Sequence, residues 1–210
     1  MEILQYWFEA IILGLSLSLL IGPIFVAQFS GVTHDGLKGG FMVCFGIWLS
    51  DLLFIISSYI VLQNFKDAHL SSQTYQLIGW AGGVLLLILG LRNIFKTGTP
   101  KLVKESNIHL KYSKHFTKGF LINTINPFTI LFWMATGGLY VLTKQVGMGI
   151  YTLVFGTILC CIILTDSIKV ILLSRINNKT IEDNILIINR VSGFALVLFG
   201  IVLFIRSQSF

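Results

Sequence analysis

Residues 39–62 read GGFMVCFGIWLSDLLFIISSYIVL, a run with no basic residue and one acid, Asp51, at its middle. Crossing the hydrocarbon core of a bilayer takes roughly 20 mostly apolar residues in one helix. The stretch is long enough to do so, and Asp51 then falls near mid-depth. Comparable runs lie at about 4–29, 75–95, 119–142, 150–173 and 185–205. They are continuous rather than alternating, which favours helices over a β-barrel. Of the 210 residues 55% are hydrophobic and 11% charged, too little charge to cover a soluble domain. The expected fold is an all-α integral membrane protein of six transmembrane helices in a single domain, 1–210. The first run carries Glu2 and Glu9 rather than a basic flank, and reads as a first membrane helix rather than a removable signal.

Working outward from Asp51, the chain repeats itself. IWLSD at 47–51 matches IILTD at 162–166, IGPIF at 21–25 faces INPFT at 125–129, and GVLLLILG at 83–90 faces GFALVLFG at 193–200. The matches occur in the same order on helices 1, 2, 3 and then 4, 5, 6. They divide the chain into a first repeat of about 1–96, a basic linker of about 97–115, and a second repeat of about 116–210. Three helices per copy bring the second copy into the membrane from the other side. The expectation is therefore two inverted three-helix repeats, an arrangement of secondary transporters whose sites lie near the midplane.

Charge gives orientation. Lys38, Arg92, Lys96, Lys101, Lys104, Lys111, Lys114, Lys118, Arg175, Lys179 and Arg190 fall in the connections 1–2, 3–4 and 5–6, whereas the opposite side carries Lys66, Lys144 and Arg206. The positive-inside rule then puts those connections in the cytoplasm and both termini outside. The net charge of +6 is thus a topology signal rather than a nucleic-acid footprint. The linker could also touch anionic lipid head groups. Cys44, Cys160 and Cys161 form no C-x-x-C and read as small buried hydrophobes. His34, His69, His109 and His115 read as loop residues without ligand spacing, so no metal and no cofactor are expected.

Several residues could carry chemistry. Proline within a helix removes a backbone hydrogen bond, so Pro23 with Gly22, and Pro127 with Asn126, mark helix breaks that can open onto a midplane site. A plain packing kink is the competing reading. An acid at the bilayer centre costs about 2.5–3.5 kcal/mol on insertion scales and is a functional candidate by default, which singles out Asp51 and Asp166. Lys169 lies three residues after Asp166 and can hold it charged. Asp51 has no such neighbour, and desolvation leaves it able to change protonation. Asn123 and Asn126, three apart on one expected helix face, and Gln28, five beyond Pro23, complete the candidate set. Ser16 and Ser18 can satisfy themselves on their own helix. Gly82, Gly83, Gly90, Gly193 and Gly200 read as close-packing positions.

The stretches LIGPIFVAQFSGVTHDGLKGGFMVCFGIWLSD, KGFLINTINPFTILFW and INRVSGFALVLFGIVLFI together resemble the lysine exporter (LysE/RhtB) family of amino-acid efflux proteins. The resemblance spans nearly the whole chain. It implies a six-helix secondary carrier for amino acids and related small solutes, not an enzyme, with Gly22, Pro23, Asp51, Asn126 and Pro127 at the family's motif positions. Ile24 stands where many members have a polar residue, so the resemblance does not transfer a particular substrate.

The expected function is proton-coupled export of amino acids or similar zwitterions across the plasma (inner) membrane by alternating access. A divalent-cation exporter, or another small-solute membrane carrier, is the alternative, since two membrane acids suit hard cations. A thiol oxidoreductase is disfavoured by the lack of C-x-x-C, and a non-transporting assembly factor by the paired acids. Expected partners are the solute and membrane lipid, without nucleic acid; a homodimer is left open.

Overall fold

A computed structural model describes residues 2–18, 22–64, 72–95 and 112–176. Within 186–205 it describes all but 188, 189, 192, 195, 199, 202 and 203. Most of the expected basic linker, with Lys66, Lys179, Arg206, His69 and His109, lies outside the described residues. The elements are α1 (Glu2–Ser18), α2 (Pro23–Asn64), α3 (Ser72–Ile94), α4 (Tyr112–Thr124), α5 (Pro127–Gly138) with a π-helical turn at Leu139–Thr143, and α6 (Met148–Leu173). Described residues between 186 and 205 are also helical, and no strand occurs among the described residues.

At about 1.5 Å per residue, α2 would be roughly twice as long as the bilayer core is thick. It is not one rod. Asp35 (φ −130°, ψ 24°) and Gly36 (φ 61°, ψ −151°) leave helical geometry, and the latter region is one that glycine alone occupies readily. A Cβ on Gly31 would lie 2.8 Å from the Gly39 carbonyl oxygen. Eight residues of straight helix would hold these two about 12 Å apart. The chain therefore reverses at 35–36, giving a hairpin of arms 23–34 and 37–64. Asp51 sits midway along the second arm.

The expected helix over 4–29 is thus two helices, α1 and the first arm of α2, separated ahead of Pro23. The expected helix over 119–142 is likewise broken. It begins earlier, at Tyr112, and α4 and α5 bend by 60° across residues 125–126. By length and apolarity, Pro23–Asn64 and Met148–Leu173 are candidate membrane spans and the α4–α5 pair a broken one, while Ile3–Ser18 and Trp80–Ile94 are shorter apolar helices. The protein is a multi-pass helical membrane protein.

Its helices are apolar outside and more polar inside. Along α2, Asp51, Ile55, Ser58 and Leu62 recur at helical spacing and are buried, while Leu52, Leu53, Ile56 and Ile60 are exposed. Lipid is as apolar as leucine, so helix association rests on close packing and internal hydrogen bonds rather than on a hydrophobic drive. The close packing is visible where α2 crosses α4: a Cβ on Gly46 would overlap the Phe116 carbonyl oxygen, and one on Gly119 the Val43 carbonyl oxygen.

The structure divides into two compact units. The larger holds α1, α2, α4, α5 and α6. Its core gathers Trp133, Tyr140, Tyr151, Phe155, Ile158 and Ile162, with Ala10 of α1. The smaller holds α3 and the last helical stretch. There the glycines spaced seven apart are close-packing positions, as expected, and they pair antiparallel: a Cβ on Gly83 would meet the Gly200 carbonyl oxygen at 3.0 Å, and one on Gly90 that of Gly193 at 2.8 Å.

Candidate functional site

Asp51 is 3% exposed and is held by two neutral donors on one oxygen. Asn123 Nδ2 donates to Oδ1 at 2.8 Å and Trp133 Nε1 at 2.9 Å. The Asn123 amide is fixed in turn, donating to the Ile47 carbonyl at 3.3 Å and accepting from the Thr129 hydroxyl at 3.0 Å. Next to it, the Ser50 and Thr124 hydroxyls share a hydrogen bond of 2.9 Å. Among the described residues no cation pairs with Asp51 and nothing donates to Oδ2. One carboxylate oxygen is thus anchored, and the other is left for a proton or an incoming donor.

The helix breaks position these groups. Asn123 lies in the last turn of α4, beside the break, and α5 starts at a new angle that swings Thr129 and Trp133 toward it. Pro127 suits the first position of a helix, where no N–H is needed. Asn126 caps α5, its side chain accepting from the Phe128 N–H at 3.2 Å. The expected common face of Asn123 and Asn126 is therefore corrected: the helix ends between them, and Asn126 shapes the break while Asn123 holds the acid.

Asp166, equally buried, has a different environment. Lys169 Nζ pairs with Oδ1 at 3.0 Å, the expected i,i+3 contact, and Trp48 Nε1 donates to Oδ2 at 3.3 Å. Trp48 lies one turn before Asp51 on the same arm.

The other expected site residues are more dispersed. Gln28 is fully buried, but its Nε2 reaches the Cys44 sulfur at 3.5 Å rather than Asp51, and its Oε1 has no partner. Pro23 is exposed and Gly22 half-buried, with open space where a Gly22 Cβ would lie. Ser18 bonds back to the Leu15 carbonyl at 2.9 Å, as its helical position suggested. Cys160 is exposed and Cys161 half-buried, so only Cys44 of the three is the buried hydrophobe expected. His34 and His115 lie in helices rather than loops, and His115 is buried. No group of three or more histidine, cysteine, aspartate or glutamate side chains able to hold a metal occurs among the described residues.

Trp133, Thr129 and Trp48 are the site residues that the sequence reading missed. A signal was present. Thr129, Trp133, Thr136 and Tyr140 follow one another at spacings of four, three and four, so these four hydrogen-bonding side chains of α5 and its π turn share one face, and all four are buried.

A bundle of broken helices around a buried acid held by neutral donors defines a multi-pass membrane protein with a polar interior. The profile of the LysE type translocators matches residues 15–207, and the chain belongs to that family. It is 28% identical over 192 residues to the "Putative amino acid efflux protein YcgF" of Bacillus subtilis (strain 168), covering 90% of each chain. It is 20% identical over 133 residues to the "Leucine efflux protein" of Salmonella choleraesuis (strain SC-B67), covering 63% of this chain and 61% of the relative. The "Leucine efflux protein" of Salmonella typhi shows the same similarity. No solved structure matches.

Proposed function

We propose that the chain is a secondary carrier that exports amino acids or related small zwitterionic solutes across the cell membrane, with Asp51 as its coupling residue. The observation that carries this reading is the environment of Asp51: buried mid-span, held on one oxygen by the neutral donors Asn123 and Trp133, and without a paired cation. An intramembrane acid of this kind can take and release a proton, or accept a substrate ammonium group. Asp166 differs because Lys169 compensates its charge, which suits a fixed support. Family membership and the amino-acid efflux names of the relatives favour amino acids over a divalent cation as cargo.

Six spans in two inverted repeats, both termini outside, and alternating access belong to the same proposal. Two features support it. Both halves break at a proline ahead of their second helix arm. And α1 packs on α6 while α2 packs on α4, so the first helix of each half lies against the second helix of the other. A two-fold axis in the membrane plane relates elements in that crossed manner. Untargeted comparison of metabolites excreted by cells with and without the protein tests the cargo. Amino acids enriched outside expressing cells are the expected result; enrichment of metal ions alone, or no difference, opposes it.

A further inference from the structure

We propose that two latches, the ion pair of Glu9 with Lys144 and the hydrogen bond of Asp35 with His115, close opposite ends of the bundle and open in alternation. The proposal rests on the alternating-access reading above.

Lys144 Nζ meets Glu9 Oε2 at 2.5 Å. The Tyr140 hydroxyl donates to the same oxygen at 2.8 Å, and Gln5 Nε2 to Oε1 at 3.2 Å. The ammonium also lies 5.0 Å and 4.8 Å from the ring centres of Tyr6 and Tyr140. In the second latch His115 Nε2 meets Asp35 Oδ2 at 2.5 Å. A carboxylate only accepts, so the ring nitrogen donates. Lys118 Nζ donates to Ser30 Oγ at 2.9 Å and ties the same two helices again.

The latches lie at opposite ends of α2. Asp35 is at its hairpin turn. The Tyr151 hydroxyl donates to the Ile55 carbonyl at 2.9 Å and shares a bond of 3.0 Å with Ser58, while Asp166 further along α6 meets Trp48. α6 therefore runs antiparallel to the second arm, and the connection bearing Lys144 lies beyond Ser58. Twenty residues of helix from Asp35 to Ile55 span about 30 Å, the thickness of the bilayer core.

The two contacts are built alike. Glu9 lies fourteen residues before Pro23 and His115 twelve before Pro127, each on the outer half of a broken helix. Asp35 and Lys144 each follow the inner half of such a helix, at the turn that leads into the next span. Each latch thus joins the first helix of one half to the turn of the other half. Both acids belong to the first half and both bases to the second. Rocking one half against the other must separate one pair and can retain the other. The latches are unequal: the Asp35 and His115 side chains are 7% and 1% exposed, those of Glu9 and Lys144 32% and 27%. The Asp35 end is the more tightly sealed.

The test uses the full chain with Cys44→Ser, Cys160→Ala and Cys161→Ala, and Thr129→Cys beside Asp51 as reporter. A membrane-impermeant maleimide is applied to right-side-out and to inside-out vesicles. Lys144→Met should speed labelling at least fivefold from the Glu9 side alone, and His115→Phe at least tenfold from the Asp35 side alone. Glu9→Lys combined with Lys144→Glu should restore the slow rate, because the pair re-forms with its charges exchanged; a merely structural role would not confine the acceleration to one side. Equal acceleration from both sides, no acceleration, or a membrane-inserted reversed pair that does not restore the slow rate overturns the proposal. Labelling that switches sides as expected, together with a wild-type chain that exports no amino acid, leaves the latches standing and removes the cargo assignment.

Discussion

Removing the Asn123 amide should reveal how firmly the central acid is held. Asn123→Ala deletes the 2.8 Å bond to Asp51, the 3.3 Å bond to the Ile47 carbonyl and the 3.0 Å bond from Thr129. The single substitution therefore reports three losses at once. A double-mutant cycle with Asp51→Ala isolates the first, because the other two are lost whether or not the carboxyl is present. A hydrogen bond to a charged group is worth about 1.5–3 kcal/mol in water-soluble proteins. Interhelical bonds in a membrane protein average about 0.6 kcal/mol and reach about 1.7. Burial and the short bond place this pair at the upper end, about 1–2 kcal/mol, a factor of roughly 5–30 in the folded ratio. Reversible unfolding in mixed detergent micelles measures it. A coupling energy below about 0.3 kcal/mol, the ordinary error of additivity, would refute the hydrogen-bonded centre.

Other consequences are as specific. Lys169→Met should cost about 3 kcal/mol by leaving the Asp166 charge buried with Trp48 as its remaining donor, and Asp166→Leu added to it should recover most of the loss in the same unfolding assay. Gly46→Ala and Gly119→Ala should each destabilise by about 1–3 kcal/mol, because their Cβ atoms would meet the backbone of Phe116 and Val43. Gly156→Ala, with nothing within 4 Å of the added carbon, should be neutral or stabilising by up to about 1 kcal/mol. A loss at Gly156 equal to that at Gly119 would contradict the packing described.

What the sequence made legible follows from local rules. Hydropathy located the helices, and the prolines located the breaks, because loss of an N–H acts within one turn. Lys169 and Asp166 were legible because a three-residue spacing on a helix places two side chains together. Gly83, Gly90, Gly193 and Gly200 were legible as close-packing positions, but which glycine meets which was not. The remainder depends on how helices are rotated against one another, which hydropathy does not encode. Trp133 reaches Asp51 from a helix redirected by 60°, and His115 reaches Asp35 across eighty residues of sequence. The charge-rich flank hid the start of α4, so His115 read as a loop residue. Cys160 turns outward where Cys161 turns toward Gly14, a difference of one position that an apolar run does not reveal.

The central claim, that Asp51 couples solute movement, is tested most directly in proteoliposomes. Wild-type and Asp51→Asn chains are reconstituted at equal density, the vesicles are loaded with a mixture of labelled amino acids, and efflux is followed with and without an imposed pH gradient. The account predicts that Asp51→Asn, which preserves the size of the side chain and its Oδ1 acceptor, loses at least tenfold of gradient-driven efflux while remaining folded. Gradient-driven efflux at the wild-type rate from the Asp51→Asn protein would contradict it.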